Sequence, residues 1–138
     1  MGSFDPFLEL QAAIRARLIA SPDLLALVPD GHVLDTSGRP EVMPAVLIGE
    51  GQTVYRRFDC TVFATLHVWF QELGTTSAKQ AASAIVEALR IDAQRDGVLS
   101  LPHWTVLDMQ ADRVQIVRDP HGPYSHGIVS VAAIMKAK

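Results

Sequence analysis

Apolar and other side chains alternate strictly along the middle of the chain, between Asp59 and Phe70 (DCTVFATLHVWF). Alternation with a period of two predicts a β-strand. At about 3.3 Å per residue this strand would span roughly 35 to 40 Å, which favours a central place in a sheet. One set of alternate positions is wholly apolar and predicts a core-facing side: Cys60, Val62, Ala64, Leu66, Val68 and Phe70. The other set is too aromatic for free solvent and too polar for a dry interior: Thr61, Phe63, Thr65, His67 and Trp69.

Two main helices are predicted from helical spacing and capping residues. Asp5 followed by Pro6 is typical of a helix start, and the apolar residues after it recur at helical spacing until about Ala20. Ser21 and Pro22 repeat this pattern of an N-cap residue followed by proline and predict one short extra turn of helix. The second helix is predicted to start from a capping box of Ser77 and Gln80. Its predicted buried face consists mostly of small residues: Ala78, Ala81, Ala82, Ile85 and Leu89.

Further strands are predicted on both sides of the second helix. Ala45–Ile48 is a short apolar strand, and a turn at Gly49, Glu50 and Gly51 is expected after it. Trp104–Met109 and Val114–Val117 both alternate, but the parity changes between them, which predicts a bulge. A turn-rich stretch at 118–125 then leads into a last alternating strand at 128–134, so the end of the chain is predicted to be an antiparallel hairpin.

This order of elements predicts an α+β fold in one domain, residues 1–138. We expect an antiparallel sheet of about four strands with the two main helices packed on one face. The opposite face would then be open and would carry Phe63, His67 and Trp69. Open sheet faces with aromatic side chains commonly mark association between subunits.

Composition and charge narrow the function classes. Of 138 residues, 49% are hydrophobic and 20% are charged, as in a soluble globular protein. No apolar run approaches about 18 residues, and the N-terminus lacks the features of a signal peptide, so use inside a cell or within a larger particle is expected. A net charge of −3 disfavours a dedicated nucleic-acid binder, although DNA could still pass the protein.

No catalytic, cofactor or metal site is predicted. Gly49-Glu50-Gly51 lacks the third glycine and the helix that a dinucleotide site needs. Cys60 and His67 are separated by an odd number of positions on one strand, so their side chains leave opposite faces and cannot act as a nucleophile pair. His121 and His126, with Asp119, lie in a turn and not at the helical spacing that presents two metal ligands together.

Taken together, these stretches resemble the tail-terminator (tail-completion) proteins of long-tailed bacteriophages and phage-like gene transfer agents. The resemblance covers nearly the whole chain. It is carried by five stretches, LIASPDLLALV, MPAVLIGEG, TVFATLHVWF, AKQAASAIVEAL and RDPHGPYSHGIVSV. It implies a structural protein without catalysis, assembled in the bacterial cytoplasm into a virion or phage-like particle.

The resemblance further implies a six-membered ring on the head-proximal end of the tail tube. Such a ring stops tube polymerisation and joins the tail to the neck (stopper) protein, and the genome passes through its lumen. We expect Phe63, His67 and Trp69 at the subunit interface. Tyr55, Arg56 and Arg57 are expected either to be solvated or to dock on the tube or neck protein.

Two other functions stay open at this point. The open face could serve as the floor of a small-molecule or enzymatic site, with His67 as its polar group. A nucleic-acid-binding adaptor is disfavoured by the net charge.

Overall fold

A computed structural model describes residues 4–36, 38–92 and 97–138. Three α-helices and seven β-strands form within these residues, and a single 3₁₀ turn at Asp30–His32 precedes the first strand. The helices are α1 (Pro6–Ile19), α2 (Pro22–Leu25) and α3 (Thr76–Ala88). The strands are β1 (Val33–Leu34), β2 (Ala45–Tyr55), β3 (Cys60–Gln71), β4 (Ile91–Asp92), β5 (Leu99–Ser100), β6 (Trp104–Asp119) and β7 (Tyr124–Ala137).

The predicted antiparallel sheet of about four strands was wrong. The seven described strands form one large, curled, mixed sheet in the order β1-β2-β3-β7-β6-β4, with β5 also paired to β6. β1 runs parallel to β2, while the other pairs are antiparallel. The error has a physical reason, because β1, β4 and β5 have two residues each and are too short to show a period in the sequence.

The alternation along β3 is confirmed. Its predicted core-facing side chains are all buried and join one cluster with apolar side chains of α1 and α3. The last strand behaves in the same way, since Val129, Val131, Ala133 and Met135 of β7 are buried in this core. Period two therefore located both central strands correctly, because each has one face in the core.

α1 begins as predicted, with the Asp5 carboxylate accepting a hydrogen bond from the amide of Leu8 at 2.7 Å. Its apolar stripe is fully buried, and its polar side is fixed by Arg17, whose Nε donates to the carbonyl of Ala88 in α3 at 2.7 Å. Near its start, Glu9 accepts hydrogen bonds from the backbone and ring of His103. These contacts fix α1 to both α3 and the segment that leads into β6.

The predicted capping box of α3 was wrong, because the helix begins at Thr76 and its N-cap Thr75 makes no side-chain cap. The amides of Ser77 and Ala78 instead donate to the two carboxylate oxygens of Glu72, each at 3.1 Å. The buried hydroxyl of Ser125 donates to the same carboxylate. One acidic side chain therefore joins the end of β3, the start of α3 and the start of β7.

β2 does not end at Ile48 and no turn follows it, contrary to the prediction. The strand continues to Tyr55, and its register with β3 shifts between Ile48 and Gly51, which marks a β-bulge. The ring of Phe7 lies against Gly51 so closely that an added Cβ would overlap both this ring and the carbonyl of Phe63. Glycine at this position therefore allows α1 to pack on β2.

β6 is one strand that covers both alternating stretches, 104–109 and 114–117. A register shift against β7 between Ala111 and Arg113 confirms the predicted change of parity, and a second shift lies between Val106 and Asp108. The predicted antiparallel hairpin is also confirmed. Asp119 pairs with Tyr124, so the turn is shorter than the predicted 118–125.

Among the described residues, no helix is long and apolar enough to span a membrane.

Candidate functional site

The second face of β3 is continued by β2 and β7. Phe63 lies between Gln52 of β2 and Ala132 of β7, and Trp69 lies between Ala45 and His126. The face therefore has two ends, one around Phe63 and one around Trp69. Other parts of the subunit cover the Trp69 end more completely than the Phe63 end.

The Trp69 end is covered by the subunit's own chain. Trp69 packs with Ala45 and Leu47 in a small cluster of its own, and Leu34, Met43 and Tyr124 lie against it. Leu34, which lies in β1, and Met43, which precedes β2, supply part of this cover, and the ring of His32 hydrogen-bonds the carbonyl of Pro44 at 2.8 Å. As a result only 8% of Trp69 is exposed.

A chain of polar contacts crosses the middle of the face. Nε2 of His67 lies 3.1 Å from a carboxylate oxygen of Glu50 in the β2 bulge. Nδ1 of His67 lies 2.8 Å from Nε2 of His126, whose ring stacks on Trp69 at a centroid distance of 3.9 Å. Both nitrogens of His67 are therefore engaged, which leaves neither free for a ligand in this arrangement.

Burial and hydrogen bonds set the protonation of these polar contacts. Burial, together with the nearby His67, lowers the pKa of His126 to about 4. The hydrogen bond from its own backbone amide lowers the pKa of Glu50, and the hydrogen bond with His67 lowers it as well. At neutral pH, His126 is therefore a neutral ring and Glu50 is ionised.

The Phe63 end is open. Phe63 is 40% exposed and Val54 on the neighbouring strand is 38% exposed. Thr61, Ala132 and Ile134 occupy the adjoining positions of β3 and β7, where Thr61 is buried and the other two are half-buried. We call these five residues the Phe63 strip.

The tip of the β2–β3 hairpin, Tyr55–Phe58, projects beyond the strip. A hydrogen bond from the amide of Arg56 to the carbonyl of Asp59, 2.8 Å long, closes its turn. Tyr55 is 64% exposed and Phe58 is 76% exposed. The guanidinium of Arg57 lies over the Phe58 ring, 5.2 Å from its centroid. The sequence had identified Tyr55, Arg56 and Arg57 but missed Phe58, whose position beside them was the available signal.

The remaining chemical candidates lie apart. Cys60 is buried beneath α1 and α3, where burial raises the pKa of its thiol, and His67 leaves the opposite face of β3. His121 donates its backbone amide to Asp119 at 2.7 Å, while the ring of His126 turns to His67. Within the described ranges, no group of three or more histidine, cysteine or acidic side chains is placed to hold a metal ion.

Comparisons with known proteins identify a family and a similar fold. A family model described as "Tail completion protein gp17" matches residues 12–136. A search of curated protein sequences gave no match. Among solved structures, a chain from the "Virion of native gene transfer agent (GTA) particle" aligns with a TM-score of 0.79 over 97% of this chain and 99% of that chain. The two sequences are 22% identical, so this likeness is one of fold.

Proposed function

This chain belongs to the family of the tail completion protein gp17, and from that premise we propose that it closes the head-proximal end of a tail tube as a ring. Membership makes it a structural tail-completion protein of a phage-like particle. The ring, predicted by resemblance to have six members, would stop tube polymerisation and bind the tube and neck proteins. We further propose that it acts without catalysis or a cofactor.

The Phe63 strip is the observation that carries the ring. Its exposed apolar side chains lie on long, paired strands of a sheet whose other face is already filled by α1 and α3. Exposed apolar surface on such a support is typical of a protein contact. A contact between unlike surfaces of successive subunits closes into a ring when the rotation between them is correct.

The three predicted interface residues differ in what a contact would require. Phe63 is open, and the side chain of His67 is 20% exposed at the edge of the strip. Trp69 lies against Leu34 and Met43 of its own subunit. These side chains would have to move aside before a neighbouring subunit could reach the indole. We therefore propose that the contact centres on Phe63 with His67 at its margin, while Trp69 supports His126 from within the subunit.

The hairpin tip supports a second contact with a neighbouring protein. Tyr55, Arg56 and Arg57 are exposed together, and an aromatic and arginine surface is the composition that protein interfaces favour. A net charge of −3 also fits a lumen that DNA crosses without being held.

Replacing Phe63 with aspartate tests the ring. The exposed side chain makes loss of folding a minor concern, and a buried carboxylate in the contact should disrupt assembly. Light scattering should show a monomer for F63D, and micrographs of tails assembled with it should show overlong tubes. Leu73→Asp, at an exposed site before α3, is the matched control and should leave the ring and tube length unchanged. Normal rings and tube lengths with F63D would refute the assignment.

A further inference from the structure

The hairpin tip exposes groups of two kinds, and the stacking of Arg57 on the Phe58 ring lies within the tip itself. Its aromatic side chains, Tyr55 and Phe58, are 64% and 76% exposed. Arg56 and Arg57 form no salt bridge with any described carboxylate. The tip therefore presents apolar area and two positive charges on one short turn, and a surface with an apolar floor and a negative rim would complement it.

The subunit carries such a surface between α2 and α3. A groove of about 440 Å³ lies there, with Ala26, Leu27 and Ala84 among its lining residues. Asp23 and Glu87 line the same groove, and neither forms a salt bridge with a described cation. Both acidic residues are exposed. We call this surface the α2–α3 groove.

We propose that the hairpin tip of one subunit inserts into the α2–α3 groove of the next subunit in the ring. The aromatic side chains of the tip cover the apolar floor, and the two arginines pair with Asp23 and Glu87. This inference rests on the proposed ring and adds a second contact between its members, beside the one centred on Phe63. It assigns Tyr55, Arg56 and Arg57 to a second copy of this chain, ahead of the tube or neck protein.

Charge complementarity supports a second copy as the occupant. The tip offers two cations and the groove offers two carboxylates, so a chain with a net charge of −3 still has complementary local charges at this contact. Arg17 lines the adjoining cavity beside both carboxylates, but its Nε donates to the carbonyl of Ala88. The high exposure of Tyr55 and Phe58 shows that the tip does not fill its own subunit's groove. Among the described residues, each subunit therefore leaves one tip and one groove uncovered, which is the condition for head-to-tail assembly.

Charge reversal provides the test, because both sets of residues are exposed and can be changed without touching the core. The tip variant is Arg56→Glu with Arg57→Glu, and the groove variant is Asp23→Lys with Glu87→Lys. Each alone places like charges opposite one another, so subunit association should weaken by at least about tenfold. Circular dichroism should show that both variants remain folded.

Restoring the charge match should restore assembly in two ways. A 1:1 mixture of the tip and groove variants should form alternating rings when the number of subunits is even, since every contact then pairs opposite charges. One chain that carries all four reversals should form rings of any size. Lys79→Glu with Arg90→Glu is the control, because it changes the formal charge as much as the tip variant does but leaves the tip intact and adds no cation to the groove.

The possible results distinguish failure of the tip-in-groove contact from failure of the proposed ring. Unchanged assembly of either reversal variant would overturn the tip-in-groove contact, and so would a four-reversal chain that stays monomeric. In both cases, rings of the unchanged protein would leave the proposed function intact. Tails of normal length in cells lacking the unchanged protein would instead refute the proposed function itself. Loss of assembly in both reversal variants, with recovery in the four-reversal chain, is the result that we expect.

Discussion

Replacing Glu72 with alanine tests how the start of α3 is held to the sheet. The Glu72 carboxylate accepts hydrogen bonds from the amides of Ser77 and Ala78 and from the hydroxyl of Ser125. Alanine removes all three acceptor contacts at once. The two amides belong to the first turn of α3 and the hydroxyl belongs to the buried start of β7, so the change loosens the junction of three elements.

The expected loss of stability has two parts, one at the start of α3 and one at the buried hydroxyl of Ser125. Loss of a side-chain cap at a helix start costs about 0.5–2 kcal/mol, because water can partly replace the lost acceptor. Ser125 is 0% exposed, so its hydroxyl loses this acceptor where water does not reach, which costs about 1–3 kcal/mol. We expect a combined loss of roughly 3 kcal/mol in the free energy of unfolding. For a domain of this length the melting temperature should fall by about 10 °C.

Urea unfolding at one fixed protein concentration measures this loss, since assembly would otherwise add to the apparent stability. Glu72→Gln keeps an acceptor oxygen and should lose about half as much, roughly 1–2 kcal/mol. Ser125→Ala removes the buried hydroxyl together with its need for a partner. In the double variant the Glu72→Ala loss should therefore shrink to that of the helix cap alone.

The loss should also depend on pH. Burial alone would raise the pKa of Glu72, but the hydrogen bonds from Ser125 and the two amides outweigh it and leave the pKa below its ordinary value of 4.5. A lowered pKa in the folded state means that the contribution to stability is present above pH 4.5 and is lost as the pH falls towards the folded-state pKa. The difference between the parent and E72A should be largest near neutral pH. A difference that stays constant down to about pH 3, or a loss under about 0.5 kcal/mol, would refute this account of the junction.

Three further predictions concern packing and protonation. Gly51→Ala should lower the free energy of unfolding by about 1–3 kcal/mol, because the new methyl group overlaps the Phe7 ring. The control Gly31→Ala meets nothing within 4 Å and should lower it much less in the same urea titration. Trp69→Ala should lower the free energy of unfolding by about 3–5 kcal/mol, measured by thermal unfolding, since it removes the largest side chain of the cluster with Ala45 and Leu47. A loss below about 1 kcal/mol would contradict that packing. The parent should lose stability as the pH falls from 6.5 towards 4, because the pKa of His126 is lowered by burial, and His126→Gln should flatten this part of the pH profile.

The parts of the fold that could be predicted are those with a long repeating signal. β3 and β7 alternate over their length because one side of each meets the helices. For β3 the buried set followed from the sequence, whereas for β7 the alternation indicated a strand without saying which set is buried. β1, β4 and β5 could not be found in this way, since two residues carry no period. The mixed character of the sheet depends on one of these short strands, β1, and so it was missed as well.

Which residues share the second face of β3 was predictable, but their contacts were not. Alternation placed Phe63, His67 and Trp69 on one face, but the cover over Trp69 comes from a segment without regular spacing. The contact between His67 and His126 joins positions 59 residues apart and depends on the register of β3 with β7. The cap from Glu72 was missed for a similar reason, because its carboxylate reaches α3 only after the chain has turned at the end of β3.

The position of Cys60 has a practical consequence for mapping the particle. It is the chain's one cysteine, and its thiol lies sealed between the sheet and the helices. A cysteine introduced at the surface would therefore be the reactive thiol of the native protein, without any need to remove the natural one first. Pairs of such cysteines, one on the hairpin tip and one beside the α2–α3 groove, could be oxidised into covalently closed rings, and their bands on a denaturing gel would count the subunits directly.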